Sequence, residues 1–159
     1  MSDAITQIRR YSHTLAGIAT FAFLLLSLAL CWEFATVRTA SDPSVAVQYS
    51  LIYRFPFIFY LAAIWMMRSA FHSLAKGGLF DDIVPARLVL TGYALLAGAF
   101  VTILPTPLML RYAFGSGTGG LANFDVSAIM LGIVGMMLVL LARLLAQASR
   151  MRAELDEFF

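Results

Sequence analysis

An all-α integral membrane fold is what the sequence predicts, a four-helix bundle of up-down-up-down order with both termini cytoplasmic. Three observations predict it. Hydrophobic residues make up 61% of the chain, against about 45–50% in ordinary soluble domains. Charged residues are only 13%, against about 25%. Four separate apolar runs each approach the ~20 residues that a helix needs to cross the hydrocarbon core. A water-soluble domain of 159 residues has too much surface for its volume to hide so many apolar side chains. A bilayer solvates them instead.

The first run covers 14–33. Arg9 and Arg10 precede it, but it is longer than a signal core and no small-x-small cleavage site follows, so it stays as a span. In LALC at 28–31, Leu30 stands where a lipoprotein signal wants a small residue. Cys31, the single cysteine, rules out an internal disulfide framework and is expected to be an inert buried thiol. The second run, 45–67, contains Arg54 and Pro56 near its start, and Pro56 should loosen the first turn of that helix. The third, 88–110, carries Pro105 and Pro107, which should kink or end it. The fourth, 126–148, follows Asp125, a natural cap. None of the four alternates with period two, which argues against a barrel. Backbone groups in lipid must then satisfy one another within helices.

Arginine and lysine set the orientation. Arg9, Arg10, Arg68, Lys76, Arg87, Arg143, Arg150 and Arg152 fall on one side, and Arg38, Arg54 and Arg111 on the other. That bias places the termini, the loop 68–87 and the tail 149–159 in the cytoplasm, and the loops 34–44 and 111–125 outside. Trp32, Tyr49, Tyr53, Tyr112 and Phe114 then fall at the outer boundary, where amphipathic rings prefer to sit. The net charge of +2, spread along the chain, gives no case for nucleic acid.

The connection AKGGLFDDIVPARL, residues 75–88, has the punctuation of a turn between helices. Gly77 and Gly78 can end one helix. Asp81 or Asp82 can cap the next, Pro85 suits its first turn, and Leu79 and Phe80 can fold back on the helix ends. Gly78-Leu79-Phe80 with its following acidic residue, the pair Arg87-Leu88 and Gly92 also carry a resemblance. They look like a bacterial family of uncharacterised four-span membrane proteins in which a short cytoplasmic Gly-x-Phe turn joins the second and third spans. AELDEFF at 153–159 is similar to the acidic-then-hydrophobic tail of that family. Asp81 stands where the family usually has threonine or serine, and Phe158 and Phe159 replace a β-branched ending. Members are often encoded beside a small helix-turn-helix regulator. The resemblance therefore implies a regulatory or sensory membrane component, and it brings no catalytic residue to carry over.

Ionisable groups near spans are the first candidates for a site, because charge in lipid is costly. Glu33 closes the first span and Arg54 lies near the start of the second, so an antiparallel hairpin can join them as an outward ligand site or as a structural pair. The midplane carries no formal charge on this reading. Arg143 should snorkel toward the inner headgroups beside Arg150 and Arg152. Leu79, Phe80 and Asp81 in the loop, with Glu154, Asp156, Phe158 and Phe159 in the tail, are candidates for docking a protein partner, against plain interfacial packing. His13 and His72 could hold a haem iron, but they sit at helix ends and nothing else suggests a pocket, so no cofactor is expected. No zinc spacing, P-loop, dinucleotide fingerprint or nucleophile elbow is present. FGSGTGG at 114–120 lacks the strand that a phosphate loop requires. Ala94 and Gly98 in the third span, and Ala128, Gly132 and Gly135 in the fourth, supply small faces for helix packing inside the bundle or in a homo-oligomer. The leading expectation is a non-enzymatic protein of the bacterial inner membrane that acts through a partner. A small transporter or channel subunit is the alternative, and a haem or quinone redox subunit the third.

Overall fold

A computed structural model describes residues 2–37, 43–76, 83–115, 122 and 124–157; for 2–10, 43 and 152–157 it describes the backbone path only. Among these residues every regular element is an α-helix: α1 (Ser2–Val37), α2 (Pro43–Arg54), α3 (Phe57–Ala75), α4 (Ile83–Ile103), α5 (Pro105–Phe114) and α6 (Val126–Glu157). Four stretches are long and apolar enough to cross a membrane: Tyr11–Val37, Phe57–Ala75, Ile83–Phe114 and Val126–Met151. The protein is thus an all-α, four-span membrane protein. Its two termini share one end of the bundle, here called proximal; the opposite end is distal.

The second span differs from the 45–67 expected. The helix breaks at Phe55–Pro56, where the ladder passes through Phe55 N–H to Leu51 O at 3.0 Å and Ile58 N–H to Phe55 O at 3.3 Å. Pro56 has no N–H to offer Ile52, and its ring crowds the preceding turn. The apolar span therefore begins after Pro56 and ends at Ala75, so its start moves along the chain by about three turns and its end by about two. Two consequences follow. The loop expected at 68–87 shortens, because α3 runs on to Ala75 and α4 starts at Ile83. Arg68 moves from that loop into the span.

The distal end of the third span also bends, at Leu104. Pro105 lacks the donor that would have met the carbonyl of Val101, and the hydroxyl of Thr106 donates to that carbonyl instead, at 2.8 Å. The bend therefore leaves no orphaned acceptor at Val101. α5 then continues the run to Gly115, whose φ of +91° ends it, a conformation that suits glycine.

The spans pack in chain order. α1 lies against α3, α3 against α4, and α4 against α6, while α1 and α6 share no extensive contact. At the distal end α2 rests on both α1 and α5, with Tyr49 stacked on Tyr53 at 6.3 Å and tilted onto Phe114 at 5.8 Å. α4 and α6 approach each other backbone to backbone. A Cβ on Gly92 would fall 2.5 Å from the carbonyl oxygen of Gly135, and one on Gly135 would fall 2.7 Å from that of Gly92. Small residues here let two backbones touch, which is how helices associate where lipid removes the hydrophobic drive. The core is accordingly small: Ala63, Ala70, Ala99, Ala128 and Ala142 are buried. Large side chains such as Phe21, Leu28, Phe100, Met136 and Leu140 point outward, into what is hydrocarbon for a spanning protein. Cys31, expected to be buried, is also exposed; the first span touches the bundle along one stripe only, and Cys31 lies off that stripe.

Candidate functional site

The structure brings Glu33 and Arg54 together as an ion pair. Glu33 is one turn from the end of α1, and Arg54 is the last residue of α2, directly before the break at Pro56. The Arg54 side chain is 21% exposed and that of Glu33 49%, so the guanidinium is held inside and the carboxylate faces out. The pair clamps α1 to α2 at the distal rim.

Beside this clamp lies a cleft of about 230 Å³ between α3, α4 and α6. Tyr53, Phe57, Tyr60, Thr102, Thr106 and Asp125 contribute to its wall, with Pro56 at its edge. The wall is thus flanked by both helix breaks. Tyr60 Oη and Thr102 Oγ1 share a hydrogen bond of 3.3 Å, and Thr102 also bonds the carbonyl of Gly98 at 2.8 Å. Asp125 caps α6: its Oδ1 accepts the Ser127 N–H at 2.9 Å and its carbonyl the Ile129 N–H at 3.0 Å. The other carboxylate oxygen meets no donor among the described residues. Three aromatic rings, two of them phenolic, with two threonine hydroxyls and one carboxylate make a concave surface suited to a small amine or polyol. Among the described residues of the wall no nucleophile stands beside a base.

A second charged position appears at depth, where the sequence reading placed none. Arg68 Nε donates to Thr20 Oγ1 on α1 at 2.7 Å, and its guanidinium carbon lies 4.8 Å from the centre of the Trp65 ring. Thr20 in turn donates to the carbonyl of Ala16 at 2.7 Å, and Phe23 on α1 tilts onto Trp65 at 5.4 Å. A signal for this was present: counted from Pro56 as a helix breaker, an apolar span places Arg68 well inside its far end.

The remaining candidates divide. Gly98 packs on the Tyr60 ring of α3, where a Cβ would meet Cε1 at 2.7 Å. Gly132 and Gly135 face α4, Gly132 toward the Cβ of Ala99 at 3.2 Å. Ala128 is buried on the same helix, and Ala94 is half-buried. Gly92, named from sequence for the family resemblance and not for packing, makes the tightest contact of the glycines. His13 and His72 are both exposed. Leu79, Phe80, Asp81, Phe158 and Phe159 lie outside the described residues, and Glu154 and Asp156 have only their helical backbone described. Among the described residues no group of three or more His, Cys, Asp and Glu side chains could hold a metal.

Four apolar helices with a polar cleft at one end and a charge at depth define a multi-pass α-helical membrane protein. Its family is shown by sequence: residues 5–158 match the family described as "Protein of unknown function (DUF2975)", and the chain belongs to it. No curated protein and no solved structure matches.

Proposed function

We propose that this is a non-enzymatic regulatory or accessory subunit of a bacterial inner membrane that acts through a protein partner on the cytoplasmic side. The observation that carries this reading is the overrun of the terminal helices. The apolar run of the last span ends near 148 in the sequence, yet α6 continues to Glu157; α1 likewise begins at Ser2, ahead of the first apolar run at 14–33. A 32-residue helix is about 48 Å long, well beyond a ~30 Å hydrocarbon core. Both extensions lie at the proximal end, that of α1 carrying Asp3, Arg9 and Arg10 and that of α6 carrying Arg150, Arg152, Glu154, Asp156 and Glu157, so their net charges are opposite. Oppositely charged helical extensions on one side suit recognition of a soluble partner. Even with Arg68 assigned to a span, basic residues still favour that side as cytoplasmic.

The distal cleft supplies a place for an outside signal. A ligand there would touch segments next to both Pro56 and Leu104, the two points where the spans already bend, and bends at element ends are where proteins absorb conformational change. Deleting residues 153–159 should leave membrane insertion intact and remove partners recovered by cross-linking from membranes. Recovery of the same partners after deletion would overturn the proposal. The broken helices favour a second reading as a small transporter subunit, with Glu33 and Arg54 at the mouth. It requires solute flux in liposomes that Arg54→Ala abolishes.

A further inference from the structure

The geometry points to the α1/α3 groove at Arg68 as the docking site for a transmembrane helix of another protein, one that carries an Asp or Glu near the middle of the bilayer.

The depth of the guanidinium is the first argument. Glu33–Arg54 and Thr20–Arg68 are two cross-links of one antiparallel register. They are separated by about 20 Å of helix rise at 1.5 Å per residue, with the first at the distal rim. Side chains on a helix lean toward its N-terminus, which for α3 is the distal, deeper direction. Arg68 follows that lean and lies over Trp65, one turn deeper than its own Cα. It therefore does not snorkel to the proximal headgroups, the usual escape for arginine in a span. A phospholipid phosphate at the proximal surface is on the order of 10 Å away along the helix.

Unmet bonding capacity is the second argument. Arginine has five N–H donors. Among the described residues Arg68 places one, on Thr20, and a ring face covers part of the cation. The side chain is half-buried, so the remaining donors open to the groove. A full charge there needs an acceptor that also lives in the hydrocarbon.

The third argument concerns who can supply it. The acidic residues of this chain are Asp3, Glu33, Asp42, Asp81, Asp82, Asp125, Glu154, Asp156 and Glu157. By sequence none lies inside an apolar run except Glu33, at the distal end of the first, and it already holds Arg54. A second copy of this chain therefore brings no carboxylate to the level of Arg68, and the occupant is a different protein. The groove fits a helix. α1 is an edge of the bundle, with Ile18, Phe21 and Leu24 exposed along it. Gly17, one turn from Thr20, has open space where a Cβ would stand, so a neighbouring backbone can come close. This inference adds an intramembrane contact to the proposed partner-dependent function, and it stands if the terminal tail proves to dock nothing.

The test uses the full chain in phosphatidylcholine nanodiscs and synthetic polyleucine transmembrane peptides, each with one Glu, Gln or Leu at its centre, read by energy transfer between fluorescent labels. The central-Glu peptide should associate about tenfold more tightly than the all-Leu peptide, the scale of a polar contact between helices in lipid. Moving the Glu two turns toward either end should remove that advantage. Arg68→Gln should abolish it and Arg68→Lys should keep most of it. Thr20→Val, which frees Nε without touching the charge, serves if the Arg68→Gln chain loses its folded thermal transition, and should weaken association. Removing residues 153–159 should leave all these values unchanged. Equal binding of Glu and Leu peptides, or binding that survives Arg68→Gln, overturns the inference. So does Arg68-dependent quenching of Trp65 by a short-chain quinone without peptide association, which would make the groove a small-molecule site.

Discussion

Replacing Gly92 by alanine puts the α4–α6 contact under direct strain. The new Cβ would lie 2.5 Å from Gly135 O, 2.6 Å from Val139 Cγ2 and 3.2 Å from Val139 N. Two of these are backbone atoms, so rotating one side chain does not relieve the clash. Carbon contacts settle near 3.5–4.0 Å, and a gap of about 0.5–1 Å already loses a quarter to a half of the dispersion attraction. Separating the helices by about 1 Å therefore weakens the neighbouring contacts along this interface, a cost of about 1–3 kcal/mol by analogy with overpacked cores. Alanine recovers about 0.5–1 kcal/mol of helix preference over glycine, leaving a net loss of about 1–2 kcal/mol. Gly17→Ala is the control, since nothing lies within 4 Å of its Cβ; it should be neutral or slightly stabilising. Titrating SDS into dodecylmaltoside micelles, followed by near-ultraviolet dichroism, measures both. Equal unfolding of Gly92→Ala and the native chain, or greater damage from Gly17→Ala, would refute the packing argument.

Three further outcomes are expected in the same assay. Thr106→Val leaves the Val101 carbonyl at the Leu104 bend without its donor and should cost about 1–3 kcal/mol, whereas Thr102→Val, whose helical carbonyl partner keeps its backbone bond, should cost less. Asp125→Ala removes the α6 cap and should cost about 1 kcal/mol, while Asp125→Asn, a good cap without charge, should unfold like the native chain yet lose any preference of the distal cleft for small amines over their neutral analogues in calorimetry. A double-mutant cycle of Glu33→Gln and Arg54→Gln should give a coupling of at most about 1 kcal/mol that shrinks with salt, because Glu33 is 49% exposed. A salt-independent coupling of several kcal/mol would contradict the partly exposed clamp described above.

Composition and run length were enough to read four helical spans, because lipid as solvent leaves few alternatives for so apolar a chain. Asp125 as the cap of α6 and the bend at Pro105 were legible for local reasons, since each depends on residues within a turn. Pro56 was legible only in part. Its place near the start of a run of suitable length suggested a loosened first turn, and only the observed break reset where that span begins. That shift hid Arg68, which looks like a loop residue when the span is counted from Val45 and an interior one when counted from Phe57. The Gly92–Gly135 contact could not be read at all. Spacing within each helix does not say how far two helices slide past each other, and the position that meets the partner backbone depends on that offset. Of the candidate site, Glu33 and Arg54 were adjacent by topology, whereas the cleft needed three spans to meet and had no linear trace.

The chain-order packing of the spans bears on how the molecule is made. Each span rests chiefly on the one synthesised before it, and the first and last do not depend on meeting each other. Interactions of this kind are short in sequence, which favours rapid assembly. A newly inserted helix finds its neighbour already waiting in the membrane, so the protein can be completed hairpin by hairpin as the ribosome delivers it. No closing step between the oldest and youngest segments is required, and the flank of the earliest segment stays available throughout biogenesis.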